Sequence, residues 1–200
     1  TAYPLTKKCL KGRTGILLFI LFTMLFSGGL IPYYLLIQDL HLMNNPLIYL
    51  LPGLVSGFDI IIAKNFLSGI SDSLAESAQL DGAGEYRIFF SIYLPLSGPI
   101  MATLGLWSFV GKWNDWTTCV YYINKPYLYS LQYLLQRILR EAEFLKQLSA
   151  EQAALEAGAQ IPTESFRFAM AVLAAGPVLV IFPFFQKYFS KGLTIGAVKG

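Results

Sequence analysis

Four apolar stretches, each long enough to cross the hydrocarbon core of a bilayer as a helix, constrain this 200-residue chain most strongly. They cover residues 15–37, 46–67, 99–122 and 166–188. Only 14% of the residues are charged, whereas soluble domains carry about a quarter, and the mean hydropathy is +0.53. The pattern predicts an all-α, polytopic membrane helix bundle with four spans, forming a single domain over residues 1–200.

Basic residues predict how these spans are oriented. Four of them precede the first span, whereas the connection at residues 38–45 contains neither lysine nor arginine. Because Lys and Arg are enriched in short cytoplasmic segments, the N-terminal segment is expected inside the cell. Alternation of the spans then places residues 68–98 in a cytoplasmic loop and residues 122–165 outside.

The long outer segment has a helical pattern of its own. Leucine and isoleucine recur at helical spacing, and charged residues fill the other faces, at Leu128, Leu131, Leu134, Leu135, Ile138, Leu139, Arg137, Arg140, Glu141 and Glu143. One or two amphipathic helices are expected over residues 128–156, ending around Gly158 and Pro162. They would cap the bundle, rest on the membrane surface or contact an extracytoplasmic partner, and the sequence leaves these alternatives open.

The predicted cytoplasmic loop reads as a helix-turn-helix. Ser73 stands three residues before Glu76, which is the spacing of a capping box, and predicts a first helix over residues 74–80. Gly82 is expected to turn the chain, because glycine accepts backbone angles that other residues avoid. A second helix is expected from about Gly84 until Pro95 ends it. Its aromatic stripe of Tyr86, Phe89, Phe90 and Tyr93 is typical of a buried face.

The same loop carries a family motif. Glu76-Ser77-Ala78, three residues, Gly82, nine residues and then Ile92-x-Leu94-Pro95 resembles the EAA loop of ABC importer permeases, with Ser77 in place of the usual first alanine. The residues 29–37 (GLIPYYLLI), 113–116 (WNDW) and 181–200 resemble the carbohydrate-importer branch of these permeases. The resemblance implies that an ATPase subunit docks on Glu76, Ser77, Ala78, Asp81, Gly82, Ala83, Ile92, Leu94 and Pro95.

The resemblance also implies a function and partners. It indicates a permease subunit of maltose-transporter type in a bacterial cell membrane, which imports a carbohydrate or oligosaccharide by alternating access. The expected partners are ABC ATPase subunits, a second permease subunit, an extracytoplasmic substrate-binding protein and the lipid bilayer, with no nucleic acid and no cofactor. Such permeases usually have six spans, so these four are expected to be the last four of six.

Polar residues inside the apolar stretches are candidates for a translocation path, because charges in a membrane usually face protein or water. They are Asp59, Lys112, Trp113, Asn114 and Asp115. The structural alternative is an ion pair between Lys112 and Asp115 or other contacts between helices. Trp107, Trp113 and Trp116 would either stack on sugar rings or anchor the chain at the membrane interface. Gly176-Pro177 and Pro183 are expected to break the last span.

Other classes of function fit less well. The chain has no GxxxxGK[ST] phosphate loop, so ATP hydrolysis is expected in a separate subunit and no catalytic residue is assigned. Two cysteines, Cys9 and Cys119, and the lone His41 are too few for a metal site. An ion-coupled secondary transporter, with Asp59 or Asp115 carrying the ion, is the alternative, but such a carrier does not need an ATPase-docking loop.

The predicted orientation can be tested by thiol labelling in a background in which Cys9 and Cys119 are replaced by serine. Ser149→Cys lies in the outer segment and should react with an impermeant maleimide in intact cells. Ser91→Cys lies in the cytoplasmic loop and should react only after lysis. The reverse labelling pattern would overturn the orientation, and with it the assignment of an ATPase-docking loop.

Overall fold

The computed structural model describes residues 1–7, 9–153 and 163–196, and within these ranges the regular structure is helical, without strands. The α-helices are α1 (Arg13–Leu25), α2 (Leu30–Asp39), α3 (Gly57–Leu67), α4 (Asp72–Leu80), α5 (Glu85–Ile88), α6 (Leu94–Leu96), α7 (Gly98–Trp113), α8 (Thr117–Tyr122), α9 (Leu131–Ala153) and α10 (Thr163–Gly196). A π-helical segment, Phe89–Tyr93, joins α5 to α6, and short 3-10 turns lie at Pro4–Thr6, Pro46–Tyr49, Leu51–Gly53 and Pro126–Leu128.

Three of the four predicted spans are interrupted instead of continuous. The first consists of α1 and α2, separated by residues 26–29, where Gly29 has a φ of +88°. The second begins with 3-10 turns and becomes α-helical only at Gly57. The third is divided into α7 and α8 by residues 114–116. Glycine and proline in the first two stretches, and Asn114-Asp115 in the third, favour such breaks over helix propagation.

The fourth predicted span is one continuous helix, so the expected break at Gly176-Pro177 and Pro183 is wrong. Both prolines lie inside α10. Proline removes one backbone donor, but neighbouring groups in a membrane helix can compensate for the loss. Among the described residues, α10 alone is long and apolar enough to cross a membrane, over Arg167–Gln186. The number rises to four if each bent pair counts as one span, namely α1 with α2, Pro46–Gly53 with α3, and Glu85–Leu96 with α7.

Contacts divide the chain into two compact units. The first comprises Thr1–Pro32, Leu51–Ser108 and Phe184–Gly200, and the second comprises Tyr33–Leu50 and Phe109–Pro183. The first unit has a core of Leu67, Ala75, Ile88 and Tyr93, all less than 10% exposed. It therefore places the end of α3 against the helix-turn-helix that follows.

The second unit has its own core, and two loops are joined beside it. Its buried residues are Ile37, Leu42, Ile48, Tyr122 and Ile123. The backbone N–H of Asn44 donates to the carbonyl of Tyr122 at 3.0 Å. The side-chain oxygen of Asn44 accepts from the N–H of Asn124 at 2.6 Å and from that of Lys125 at 3.2 Å. The connection after α2 and the start of the long outer segment are thus held together.

The predicted amphipathic helix is present in that outer segment. Helix α9 covers Leu131–Ala153, close to the expected start, and Leu135 on its apolar face is buried. The expected end around Gly158 and Pro162 lies outside the described residues. A single helix therefore accounts for most of the predicted pattern.

Packing between α1 and α3 depends on the absence of a side chain at Gly57. A Cβ atom there would lie 2.9 Å from Cγ of Met24 and 3.1 Å from Cγ2 of Ile20, inside van der Waals contact. Gly57→Ala should therefore lower the free energy of unfolding by about 1–2 kcal/mol. Gly15→Ala in α1 is the matched control, because a Cβ there meets no atom within 4 Å. Thermal unfolding of the detergent-purified chain measures both variants, and equal midpoints would contradict the packing argument.

Candidate functional site

Helix α4 ends in a Schellman motif at Gly82. This turn explains why the family motif has a glycine four residues after Ala78. Gly82 has a φ of +78°, in the left-handed region. The N–H of Ala83 donates to the carbonyl of Ala78 at 2.9 Å, and the N–H of Gly82 donates to that of Gln79 at 3.0 Å. These are the two hydrogen bonds of the motif, and Ala78 and Ala83 both pack on the core of the first unit. The turn predicted at Gly82 is confirmed.

The start of α4 differs from the prediction. The helix begins at Asp72 with Ser71 at the N-cap, so Ser73 lies inside the first turn and forms no capping box with Glu76. The Ser73 hydroxyl instead contacts that of Ser71 at 2.7 Å. Asp72 in the first turn provides a favourable interaction with the helix dipole. An earlier helix start therefore replaces the expected capping box.

The second arm of the helix-turn-helix also continues further than predicted. Its helix starts at Glu85 with Gly84 at the N-cap, as expected, but Pro95 lies inside α6 and does not end the element. The π-helical segment Phe89–Tyr93 precedes α6, so Pro95 falls in the first turn of a new α-helical register. Proline is tolerated there because its missing N–H has no helical acceptor.

The aromatic stripe is divided between two surfaces. Phe89 and Tyr93 face the core, and the ring of Tyr3 packs against both, with centroids at 5.0 and 4.8 Å. Tyr86 and Phe90 are exposed instead. The buried-core prediction therefore holds for only half of the stripe, because side chains on the other face of α5 point away from the core.

An apolar surface flanks the Gly82 turn. Leu80 is 90% exposed and Tyr86 is 85% exposed, which is unusual for large apolar side chains next to a well-packed turn. The family-motif residues occupy different depths: Glu76, Ser77, Asp81, Gly82, Leu94 and Pro95 are exposed, whereas Ala78, Ala83 and Ile92 are half-buried. The structure brings the first six predicted docking residues together around one turn, while Ile92, Leu94 and Pro95 lie on the element that leads away from it.

Glu85 connects the turn to the segment that precedes α1. Its Oε2 accepts a hydrogen bond from the hydroxyl of Tyr3 at 2.6 Å and lies 3.5 Å from Nζ of Lys7. Its Oε1 accepts from Nε2 of Gln79 on the other arm of the turn, at 3.1 Å. One carboxylate therefore holds the two arms together and joins both to the N-terminal segment.

These contacts shift the pKa of each partner. The hydrogen bond from Tyr3 lowers the pKa of Glu85, against the opposing effect of burial and with the help of Lys7. Burial and the same hydrogen bond raise the pKa of the Tyr3 hydroxyl. Burial opposes a rise in the pKa of Lys7, but its contacts with Tyr3 and Glu85 raise it overall. The group is therefore held as a carboxylate beside an ammonium.

The second candidate site, the WNDW run, forms the break between α7 and α8. Nε1 of Trp113 donates to the carbonyl of Ala174 in α10 at 2.8 Å. The amide of Asn114 donates to the carbonyl of Val110 at 3.0 Å, at the end of α7. The guanidinium of Arg140 lies 5.5 Å from the ring centroid of Trp116. The run thus ties α7, α9 and α10 together.

Asp115 caps α8. Its carboxylate accepts from the N–H and the hydroxyl of Thr118 at 3.0 and 2.6 Å and from the hydroxyl of Thr117 at 3.0 Å. Lys112 is exposed, and the ion pairs found among the described residues do not include Lys112 with Asp115. The structural role that Asp115 has here is therefore the capping of α8, and not the ion pair with Lys112 that was the alternative to a place in the translocation path.

Asp59 also lies at a helix start, in the first turn of α3. Ser56 is the N-cap of α3, and its hydroxyl accepts from the N–H of Asp59 at 3.3 Å. The pattern Ser-x-x-Asp is itself a capping signal that the sequence reasoning missed. Thr117 and Thr118 directly after Asp115 were a comparable signal. By contrast, no local pattern reveals the contacts of Tyr3 with Glu85, because 82 residues separate them.

Comparisons with known proteins agree with this architecture. Residues 14–195 match the family described as binding-protein-dependent transport system inner membrane component. The chain is 41% identical to protein LplC of Bacillus subtilis, over all of this chain and 66% of the relative. It is 38% identical to the polygalacturonan/rhamnogalacturonan transport system permease protein YtcP of the same organism, over all of this chain and 68% of the relative.

A solved structure is also similar. It is the crystal structure of a bacterial ABC transporter involved in the import of the acidic polysaccharide alginate, with a TM-score of 0.78 and 29% identity, over 94% of this chain and 66% of that one. The chain thus spans about two thirds of the length of the proteins it matches. It belongs to the family of binding-protein-dependent transport system inner membrane components, which are bacterial plasma-membrane transport proteins and not catalytic enzymes.

Proposed function

We propose that this chain is a permease subunit of an ATP-driven, binding-protein-dependent importer for a carbohydrate or oligosaccharide. Family membership supports transport, and the relatives that act on polygalacturonan/rhamnogalacturonan and alginate support a saccharide substrate. The proposed partners are ABC ATPase subunits, a second permease subunit and an extracytoplasmic substrate-binding protein. An ion-coupled carrier is not favoured by these relatives.

The observation that carries the proposal is the exposed turn between α4 and α5. A rigid Schellman turn presents Leu80 and Tyr86 on either side of Gly82, and its inner face is fixed on the core of the first unit. Helix-in-groove recognition uses a few apolar anchors on a short, preformed helical element. We therefore place the ATPase contact at the exposed motif residues Glu76, Ser77, Asp81 and Gly82, with Leu80 and Tyr86 as the apolar anchors.

Contacts within each unit support the proposed grouping of segments on the same side of the membrane. The segment before α1 and the helix-turn-helix, both expected inside, meet at Tyr3 and Glu85. The connection after α2 and the start of the outer segment, both expected outside, meet at Asn44 and Asn124. Segments predicted on the same side of the membrane therefore contact each other. The proposed spans of a single transmembrane domain are the interrupted and continuous helices described above.

A translocation path is also proposed, and its residues are those predicted from the sequence: Asp59, Lys112, Trp113, Asn114 and Asp115. The side chains of Trp113, Asn114 and Asp115 have structural hydrogen bonds. At Asp59 it is the backbone N–H, and not the carboxylate, that donates to Ser56. Among the described residues, the path candidates whose side chains make no hydrogen bond are therefore Asp59 and the exposed Lys112.

Gly82→Val tests the docking turn. Valine at a φ of +78° is strained by about 1–3 kcal/mol, so the turn should reorganise and ATPase docking should weaken. Gly84→Val is the matched control, since Gly84 has a φ of −72° and a ψ of 162°, which valine adopts freely. Co-purification of the ATPase subunit and ATP turnover stimulated by binding protein and saccharide are measured. Normal docking and turnover in Gly82→Val would refute the docking assignment.

Tyr3→Phe tests the Glu85 contact through its pH dependence. Because the folded-state pKa of Glu85 lies below the ordinary 4.5, its stabilisation is full above that pH and is lost as the pH falls through the lowered value. Removing the Tyr3 hydroxyl should lower the free energy of unfolding by roughly 0.5–1 kcal/mol near neutral pH, allowing for solvent screening. The deficit should shrink in acid.

Tyr86→Phe serves as the control, because its ring is exposed and lies on the other face of α5. Thermal unfolding midpoints of both variants are compared with the wild type across the acid range. A deficit in Tyr3→Phe that is independent of pH would contradict the role given to the Glu85 carboxylate.

A further inference from the structure

A cleft of about 740 Å³ lies within the first unit, beside the segment that precedes α1. Its volume falls in the range of about 300–1,000 Å³ that is typical of ligand sites. The charged residues of its lining are Lys7 and Lys11 of that segment and Glu85 at the start of α5. Most of the remaining lining is apolar, so the cleft combines a charged part with a large apolar part.

The apolar part of the cleft follows α7 away from the helix-turn-helix. Ile100, Met101 and Leu104 of α7 and Ala63 and Leu67 of α3 line it. Because an α-helix rises by about 1.5 Å per residue, Leu104 lies about 9 Å along α7 from the first residue of that helix. Met101 is 58% exposed. Since α7 belongs to the third predicted span, this part of the cleft is expected at the depth of the hydrocarbon.

The charged part of the cleft keeps a positive charge. Oε2 of Glu85 lies 3.5 Å from Nζ of Lys7 and also accepts from the hydroxyl of Tyr3. Lys11 is exposed and takes part in none of the ion pairs found in the described part of the chain. Two lysines therefore line the cleft against one carboxylate. The sequence adds to this charge, because residues 7–13 contain four basic side chains and no acidic one.

This combination selects an anionic lipid as the class of ligand. Basic clusters just cytoplasmic of a transmembrane helix, and basic pockets between such helices, attract anionic head groups, because the cytoplasmic leaflet carries a negative surface potential. A lysine ammonium binds a phosphate as a point charge. A soluble anion would use only the charged part and would leave Met101 and Leu104 uncovered, whereas an acyl chain covers both.

We propose that this cleft binds one anionic phospholipid of the cytoplasmic leaflet, with the phosphate at Lys11 and Lys7 and an acyl chain along α7. The leaflet follows from the predicted orientation of the N-terminal segment, and the proposal does not depend on which substrate is transported. Lys7 also contacts Glu85, which joins the two arms of the docking turn. A lipid bound here would therefore meet the group of side chains that holds that turn.

The charged part is tested in the assembled transporter, in nanodiscs of phosphatidylcholine with increasing mole fractions of phosphatidylglycerol. A ligand that binds the folded state raises the midpoint of thermal unfolding. Lys11→Gln should need roughly three to ten times more phosphatidylglycerol than the wild type for the same rise, as expected for the loss of one basic contact. Its midpoint in phosphatidylcholine alone should be unchanged, because Lys11 is exposed.

Lys64→Gln is the matched control, because Lys64 lies in the last turn of α3, on the same predicted side of the membrane, but outside the lining. Its response to phosphatidylglycerol should equal that of the wild type. An unchanged response in Lys11→Gln would overturn the site. Equal losses in both lysine variants would also overturn it, because they would indicate a diffuse attraction between surface charges and the membrane.

The apolar part is tested by filling it. Ala63→Leu adds volume inside the cleft and should reduce the response to phosphatidylglycerol, whereas Ala169→Leu, exposed and outside the lining, should not. Soluble glycerol phosphate has no acyl chain and should leave the wild-type midpoint unchanged. A full response in Ala63→Leu, or a rise with glycerol phosphate, would overturn the place given to the acyl chain.

Native mass spectrometry measures the bound lipid directly. The detergent-extracted transporter is offered equal amounts of phosphatidylglycerol and phosphatidylcholine, and the wild type should retain phosphatidylglycerol in preference, whereas Lys11→Gln should lose this preference. No retained phosphatidylglycerol in the wild type would mean that another part of the transporter fills the cleft, and would overturn the site. Neither measurement uses saccharide or ATP, so failure of the lipid site would leave the proposed transport function untouched.

Discussion

Each break in a membrane helix leaves backbone N–H and carbonyl groups without helical partners, and the rest of this structure depends on how these groups are hydrogen-bonded. Hydrocarbon offers no hydrogen bonds, so an unpaired N–H or carbonyl at a break is costly. Ser56 accepts from the backbone of α3, Asn114 donates to the last turn of α7, and Asp115 accepts from the first turn of α8. The polar residues of the apolar stretches therefore stand where the helices end.

That constraint changes how polar residues in such a sequence should be interpreted. An ionisable residue in an apolar stretch suggests a transport path when the stretch is assumed to be one continuous helix. Once the breaks are known, Asp115 has the partners of a capping residue, and Asp59 lies in the first turn of α3, where its N–H donates to Ser56.

Sequence patterns predicted the features that depend on neighbouring residues. The helical class, the family, the amphipathic α9 and the turn at Gly82 were confirmed, because hydrophobic period and glycine conformation are local properties. The predicted capping box of Ser73 and Glu76 is wrong, because the helix starts two residues earlier than expected, with Ser71 at the N-cap and Asp72 in the first turn. The predicted break at the prolines of α10 is wrong, because the low helix propensity of two residues has a small effect in a long apolar helix. The Tyr3–Glu85 contact required tertiary structure, because 82 residues separate the two side chains.

The proposed docking turn has two faces, and the relation between them bears on coupling. Leu80 and Tyr86 face outward, whereas Phe89 and Tyr93 anchor the same element on Tyr3. A force applied by a partner at the outer face would reach the inner one through a turn whose left-handed glycine and paired carbonyls resist bending. Glu85 binds both arms and the segment that leads into α1, so the arms and that segment would move together. Rigidity at the turn, and not flexibility, is what this mode of coupling requires.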